Sequence, residues 1–256
     1  MGNGTNNTHI YVAKLDAEGT ALWSHSFGNS LSQMMYAVAV DPAGSVYLGG
    51  QLWGTVNFGG TALTGSGAAY VAKFDTFGAH VWSRMIGTSS LIKALAIGAA
   101  GDVYASGTFT GTLDFGTPEL PQPGAGRDIF MVQLNSAGTY LWGQAFGSVF
   151  DDDVKAMAVG TGNEPVLTFE GISDISLGDQ VFPASRRGLV KLSAERQYAW
   201  IKDLGEVQAF SVVDIAIDPT SREAVLVGAQ LLENDYGLGP MVSAGSSDAL
   251  VVKLAP

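Results

Sequence analysis

The sequence predicts an all-β chain assembled from four copies of one four-stranded unit, and three observations predict it. Trp23, Trp82, Trp142 and Trp200 stand 59, 60 and 58 residues apart. Each has a Lys or Gln nine residues before it (Lys14, Lys73, Gln133, Lys191) and a Gly five residues after it (Gly28, Gly87, Gly147, Gly205). Composition suits many short strands joined by tight turns: charged residues are 14% of the chain, against roughly 25% in an average soluble domain, and 34 of the 256 residues are Gly. Self-similarity at such a period marks a repeat architecture.

Each unit reads as four segments of β-branched, aromatic and apolar residues bounded by Gly, Asp and Pro turn signals. In the second copy the first segment is Lys93 to Gly98, followed by Asp102 to Thr108, Ile129 to Leu134 and Tyr140 to Phe146. The other first segments are Tyr36 to Asp41, Val154 to Gly160 and Val212 to Asp218, rich in the small residues a crowded place requires. After the first segment, Asp41-Pro42-Ala43-Gly44 is a turn in which Pro presets φ and Gly supplies a positive φ. Between the third and fourth segments, Asp16 to Gly19, Asp75 to Gly78 and Asn135 to Gly138 suit hairpins. Ser193 to Arg196 departs by replacing that Gly. The second and third segments are joined by a Phe-Gly insert at Gly54 to Gly59 and Gly111 to Gly116, which decays to Leu177-Gly178 and Leu238-Gly239.

Four antiparallel strands per unit, repeated about an axis, make a β-propeller, which leaves only short protected edges. The recurrent Trp on each fourth strand then fills the gap between neighbouring blades. The count is five strands of the third kind and four of each other kind, 17 in all, one more than four blades need. The expected organisation is a tail over residues 1–8 and one domain over 9–256. Three repeats cover about 36–87, 93–147 and 154–205, and a closing blade joins about 9–35 to 212–256. In that velcro-type closure the N-terminal fourth strand pairs with the C-terminal three, and the surplus third strand is displaced or pairs with another molecule. A piece of a longer propeller and half of an eight-bladed ring are the alternatives.

Val38 to Tyr47 (VAVDPAGSVY), Tyr70 to Asp75 (YVAKFD), Trp82 and Gly87 carry a resemblance to the bacterial β-propeller repeat called SBBP, which is similar to the NHL repeat. The likeness extends from His9 to Pro256, with the Phe-Gly insert departing from the shorter NHL spacing. It implies a bacterial secreted or cell-surface protein and no particular reaction.

Net charge bounds the partners. Thirteen Lys+Arg against 24 Asp+Glu give −11, which argues against nucleic acid and anionic membrane surfaces, both of which require clustered cations. With no cysteine, disulfides and thiolate chemistry are excluded. No apolar run reaches the roughly 18 residues of a membrane span, and the first residues do not read as a signal peptide.

Little candidate chemistry repeats with the frame. His9, His25 and His80 fall on third or fourth strands, away from the axis, which disfavours a shared metal site or a His base. Asp151-Asp152-Asp153 lies in the connection to the third repeat's inner strand. Clustered carboxylates suit Ca²⁺, but the equivalent places read Gln33-Met34, Leu91-Ile92 and Val207-Gln208, so a solvated acidic loop is favoured. Lys14, Lys73, Lys191 and Lys253 alternate with Val and Leu and read as a solvated face that Gln133 interrupts. Trp53, out of frame with the other tryptophans, marks a local patch or covers the insert. The sequence therefore predicts a non-enzymatic binding or display module, with no cofactor beyond that weak Ca²⁺ candidate, taking a protein or carbohydrate ligand on loops that diverge between copies. A self-assembling protein using the surplus strand, and an enzyme with a site at the channel mouth, are the alternatives.

Overall fold

The structure is a computed structural model that describes residues 8–115, 119–231, 233–235 and 239–254. The expected tail, apart from Thr8, lies outside the described residues, as do Gly116 and Leu238 of the inserts. The described secondary structure is β throughout, with no helix.

The elements follow the repeat. A hairpin of β1 (Ile10–Leu15) and β2 (Ala21–Phe27) comes first. Next, β3 (Gln33–Val40), β4 (Val46–Val56), β5 (Leu63–Phe74) and β6 (His80–Ile86) form a four-stranded sheet in chain order. The second such sheet contains β7 (Ser90–Ile97) and β8 (Val103–Phe109). A small ribbon of β9 (Thr112–Leu113) and β10 (Leu120–Pro121) follows, and β11 (Asp128–Leu134) and β12 (Tyr140–Phe146) complete that sheet. The third contains β13 (Asp152–Val159) and β14 (Pro165–Gly171). Its ribbon is β15 (Ile175–Leu177) with β16 (Gln180–Phe182), and β17 (Arg186–Leu192) and β18 (Tyr198–Glu206) complete it. Last come β19 (Phe210–Ile217), β20 (Ala224–Gln230), the ribbon of β21 (Asn234–Asp235) with β22 (Pro240–Met241), and β23 (Asp248–Leu254). Here β19, β20 and β23 form a three-stranded sheet. All pairings are antiparallel, and a register shift recurs at one place in every first strand, at Tyr36, Lys93, Lys155 and Val213.

The sheets stack face to face as blades around the four first strands, a propeller-like arrangement. Each interface is a separate apolar core. Ile10 and Val12 pack on Val46, Leu48, Tyr70 and Phe74 of the first four-stranded sheet. That sheet's other face offers Tyr47, Val71 and Trp82 to Ile92, Val103 and Phe130 of the next. Tyr104, Met131 and Phe146 then meet Met157, Phe169 and Val190. Finally Ala156, Val166 and Leu189 meet Ile215, Leu226, Leu250 and Val252. A twisted sheet with two apolar faces is stable only when both are covered, and stacking supplies the cover.

The expected closure does not form. β2 pairs with β1, and among the described residues the last sheet ends at β23 without a fourth strand. The cause is local. A tight hairpin joins β1 to β2, in which Asp16 Oδ1 accepts the amides of Glu18 and Thr20. Freeing β2 would also strip Ile10 and Val12, 2% and 7% exposed, from their core. First strands also begin earlier than their apolar segments, because Gln33, Ser90 and Asp152 are buried polar residues that continue the strand.

Candidate functional site

The two ends of the stacked sheets differ in chemistry. One end carries the turns between first and second strands and the hairpins between third and fourth. All four hairpins share one design: the side-chain oxygen of Asp16, Asp75, Asn135 or Ser193 accepts an amide two residues on. The fourth residue then takes a left-handed φ, +83° at Gly19, +85° at Gly78, +78° at Gly138 and +64° at Arg196. The tryptophans seal this end. Trp23 Nε1 donates to Thr76 O at 3.2 Å and Trp82 Nε1 to Ser136 O at 3.0 Å, each reaching the hairpin of the next repeat.

The lysine series lies at the same end, each member paired, with Lys253 exposed as the alternation suggested and Lys73 and Lys191 largely covered. Lys73 is 3.8 Å from Asp41, and Lys191 is 3.4 Å from Glu164, each lysine side chain being only 12% exposed. Lys253 pairs with Glu223, and Lys14 donates to Gly44 O and to Thr76 Oγ1, each at 2.9 Å. Gln133 fits the same scheme by another route. Its Nε2 donates to Asp102 at 2.7 Å, and its Oε1 accepts from the Arg196 guanidinium of the next hairpin. The Gly-to-Arg and Lys-to-Gln departures thus compensate each other, with Arg196 delivering the cation that Gln133 lacks.

The opposite end diverges. There the fourth strands lead into the next first strands, and the inserts join second to third strands. Gln33 and Asn29 clamp the Trp53 carbonyl in the first connection. Ser90 Oγ donates to Ile86 O at 2.6 Å in the second. In the third, Ser148 donates its amide and hydroxyl to the Asp152 carboxylate. The structure separates the three aspartates. Asp151, in the connection, holds Arg127, which donates through Nε at 3.0 Å. Asp152 and Asp153 lie within β13, where Asp152 is 1% exposed and Asp153 accepts from Lys93 and Lys155. Lys155 continues to Glu170, and Glu170 to Arg187. Among the described residues no three His, Cys, Asp or Glu side chains converge to hold a metal.

This network sorts the carboxyls by charge. Burial pushes Asp152 up to about 6, and the nearby Asp128 and Asp151 charges add to it while the Ser148 hydrogen bonds oppose it. Burial likewise raises Asp128, which is fully buried. Burial would also raise Asp153, but the hydrogen bonds and charges of Lys93 and Lys155 outweigh it and hold that carboxyl below the usual range.

Two cavities flank Arg127 at this end. One, about 360 Å³, is lined by Gln51, Ser66, Ser89, Thr108 and Thr110 among others; Thr108 is buried and its hydroxyl lacks a partner among the described residues. The other, about 200 Å³, is lined by Asp151, Asp152, Asp153, Glu170 and Val207 among others. A third, about 310 Å³, runs between the four first strands past Tyr36, Lys93, Lys155 and Asp214.

The remaining sequence candidates are structural. His9 lies over Gly28, whose added Cβ would stand 2.4 Å from the ring, and His25 Nε2 hydrogen-bonds Gly78 O at 2.7 Å. His80 covers Gly59 and Gly60, and burial lowers its pKa. The repeated glycines serve different local needs. Gly87 and Gly205 have φ of +69° and +104°, whereas a Cβ on Gly147 would fall 1.8 Å from Asp128 Oδ1. Trp53 is half-buried beside Gly67. Arg127 and Thr108 do not recur at equivalent positions and left no mark in the repeat, whereas Asp128 recurs as Asp248, and each accepts the amide four residues before it, from Gly124 and Ala244.

No protein-family model matches the sequence, and no curated protein matches it. Among solved structures, a protein from Lactobacillus plantarum is similar at 11% identity and a TM-score of 0.49, covering 94% of this chain and 67% of that one. Dihydro-heme d1 dehydrogenase NirN is similar at 14% identity and a TM-score of 0.48, covering 96% of this chain and 41% of NirN, so the chain spans less than half of that enzyme. The WD40 domain of Neurospora crassa Pan2 is similar at 11% identity and a TM-score of 0.32, covering 88% of this chain and 80% of that domain. The propeller-like description therefore rests on the chain's own sheets.

Proposed function

We propose that this chain is a non-enzymatic binding module, a β-propeller of the SBBP type from a bacterial secreted or surface protein, that takes a protein or carbohydrate ligand at its divergent end. The observation that carries this reading is the contrast between the ends. Four hairpins of one design occupy one end, while the other places unlike connections and two cavities around Arg127. Repeat proteins recognise partners through variable loops on a constant frame. The Ser, Thr and Gln side chains of the larger cavity suit hydroxyl-rich ligands, and the Arg127–Asp151 pair beside it offers a donor and an acceptor to the same hydroxyls.

The enzymatic alternative is disfavoured because the acidic residues are each committed elsewhere: Asp151 to Arg127, Asp152 to Ser148 and Asp153 to two lysines. Self-assembly through an edge has one observation in its favour, the bare outer edge of β23.

The test is titration of the protein with a panel of soluble neutral and acidic polysaccharides, followed by calorimetry on Arg127→Ala and Thr108→Val. Binding that both substitutions weaken by tenfold or more supports the divergent end. Binding unaffected by either, or catalytic turnover of the panel, contradicts the reading.

A further inference from the structure

The gap between the second and third four-stranded sheets departs from the two gaps before it. Trp23 and Trp82 each donate Nε1–H to the second residue of the next hairpin, Thr76 O and Ser136 O. Their rings lie over its fourth residue, where a Cβ added to Gly78 or Gly138 would stand 2.9 or 2.7 Å from the indole. The same register points Trp142 at Ala194 O and at residue 196. That residue is Arg, and its guanidinium takes the Ala194 carbonyl for itself. Trp142 Nε1 is left with no partner among the described residues. Its ring is half-buried, whereas Trp82 is sealed at 8% exposure.

A cavity of about 420 Å³ opens there, lined by Trp142, Gln144, Asp179, Arg196, Gln197 and Tyr198 among others. The earlier gaps use the same positions differently. In the first, His25 and His80 stand where Gln144 and Tyr198 do; His25 bonds Gly78 O, and His80 covers Gly59 and Gly60. In the second, Phe115 stacks on Tyr140 beside a cavity of about 310 Å³, with Trp82 sealed beneath. The third gap alone of these combines a half-exposed indole with free polar groups. Gln144 Nε2 donates to the Tyr198 hydroxyl. Burial pushes that hydroxyl up to about 12, so it keeps its own hydrogen to give. Asp179, on the turn between β15 and β16, is an exposed acceptor.

We propose that this cavity is a neutral-sugar site, in which a hexose ring lays one C–H face on the Trp142 indole while its hydroxyls bond Trp142 Nε1, the Tyr198 hydroxyl and Asp179. A pyranose suits it because the ring presents an apolar face and, around its rim, hydroxyls that both donate and accept. That matches an aromatic platform edged by donors and an acceptor. The sugar is neutral because Arg196, the lining cation, is engaged by Gln133 and Ala194 O, and the Asp179 carboxylate repels a second carboxylate. The volume falls within the roughly 300–1,000 Å³ of small-ligand sites. This site shares no lining residue with the two cavities beside Arg127, so it stands whether or not the divergent end binds a ligand.

The experiment follows the five indole N–H resonances of the full chain by NMR during titration with methyl glycosides of glucose, galactose and mannose. Methyl glucuronide is the acidic control, and Trp142→Phe assigns the resonance. The Trp142 N–H should exchange with solvent about tenfold faster than those of Trp23 and Trp82, which are hydrogen-bonded. It should shift saturably with at least one neutral glycoside, and the acidic control should bind about tenfold more weakly. In Arg196→Gly/Gln133→Lys, which returns the Ala194 carbonyl to Trp142, exchange should slow and affinity should fall about tenfold. Asp179→Ala, at an exposed position that folding does not need, should also weaken binding and serves alone if the double variant does not fold. Arg127→Ala should leave binding unchanged. Slow exchange at Trp142, no saturable shift with any neutral glycoside, or full affinity in either Trp142-side variant would overturn the proposal. So would loss of binding in Arg127→Ala, which would assign the sugar to the divergent end.

Discussion

At the scale of single residues, two departures from the repeat make sense only as a pair. Arg196 occupies a left-handed position that Gly fills in three other hairpins, and Gln133 occupies a Lys position; the guanidinium-to-amide contact links them. The expected outcome of Arg196→Gly is loss of stability, because Gln133 Oε1 loses the guanidinium that donates to it. Gln133→Lys alone places a second cation beside Arg196 and also destabilises. The double substitution recreates the arrangement of the earlier repeats, so urea unfolding should show it less costly than the sum by about 0.5–3 kcal/mol. Asp152 supplies a second prediction. Its folded pKa of about 6 lies above its unfolded value, so the protonated carboxyl favours the fold below the unfolded pKa and that contribution is lost as pH rises through 6. Asp152→Asn should therefore gain stability over the parent between pH 4 and pH 7, by up to about 3 kcal/mol from the usual 1.36 kcal/mol per pKa unit. A stability difference flat across that range would contradict the assignment.

Single elements show how much of the frame was legible in the sequence. The hairpins were, since Asx oxygens and positive-φ glycines are backbone chemistry that a sequence displays directly. The role of the tryptophans as inter-blade seals was also legible. Their partner was not, because contact of a ring with a hairpin some 55 residues away leaves no mark in local spacing. Gly138 distinguishes the two causes. An added Cβ would meet the Trp82 ring at 2.7 Å, whereas at Gly19, with a similar φ, nothing lies within 4 Å. Gly19→Ala should cost about 1–2 kcal/mol for the left-handed backbone. Gly138→Ala should cost about 1–3 kcal/mol more for the displaced ring. Equal costs in thermal unfolding would show that Trp82 does not press on the hairpin. The reading of Asp151 to Asp153 as one loop failed for a related reason. Apolar periodicity places the start of β13 at Val154, but buried Asp152 and its Ser148 hydrogen bonds extend the strand into the acidic run.

For the whole molecule, the all-β, propeller-like repeat was legible and the pairing of β2 was not. A sequence shows how many strands of each kind exist, yet which third strand takes β2 is a competition between a short hairpin and a contact across the entire chain. Loop closure favours the hairpin, and the apolar side of β1 strengthens it. The central claim is that β2 stays with β1 and leaves the array open, and the absence of native cysteine permits a direct test by engineered disulfides. Tyr11 and Ser26 are register partners, and facing positions of antiparallel strands lie within the reach of a disulfide. In a closed ring, His25 would instead face Val251. Oxidation of Tyr11→Cys/Ser26→Cys and of His25→Cys/Val251→Cys, read by intact mass and peptide mapping, decides between them. With β2 held by β1, intramolecular bonding is rapid in the first protein and does not occur in the second. Efficient intramolecular bonding in the second would contradict it and establish the closed ring.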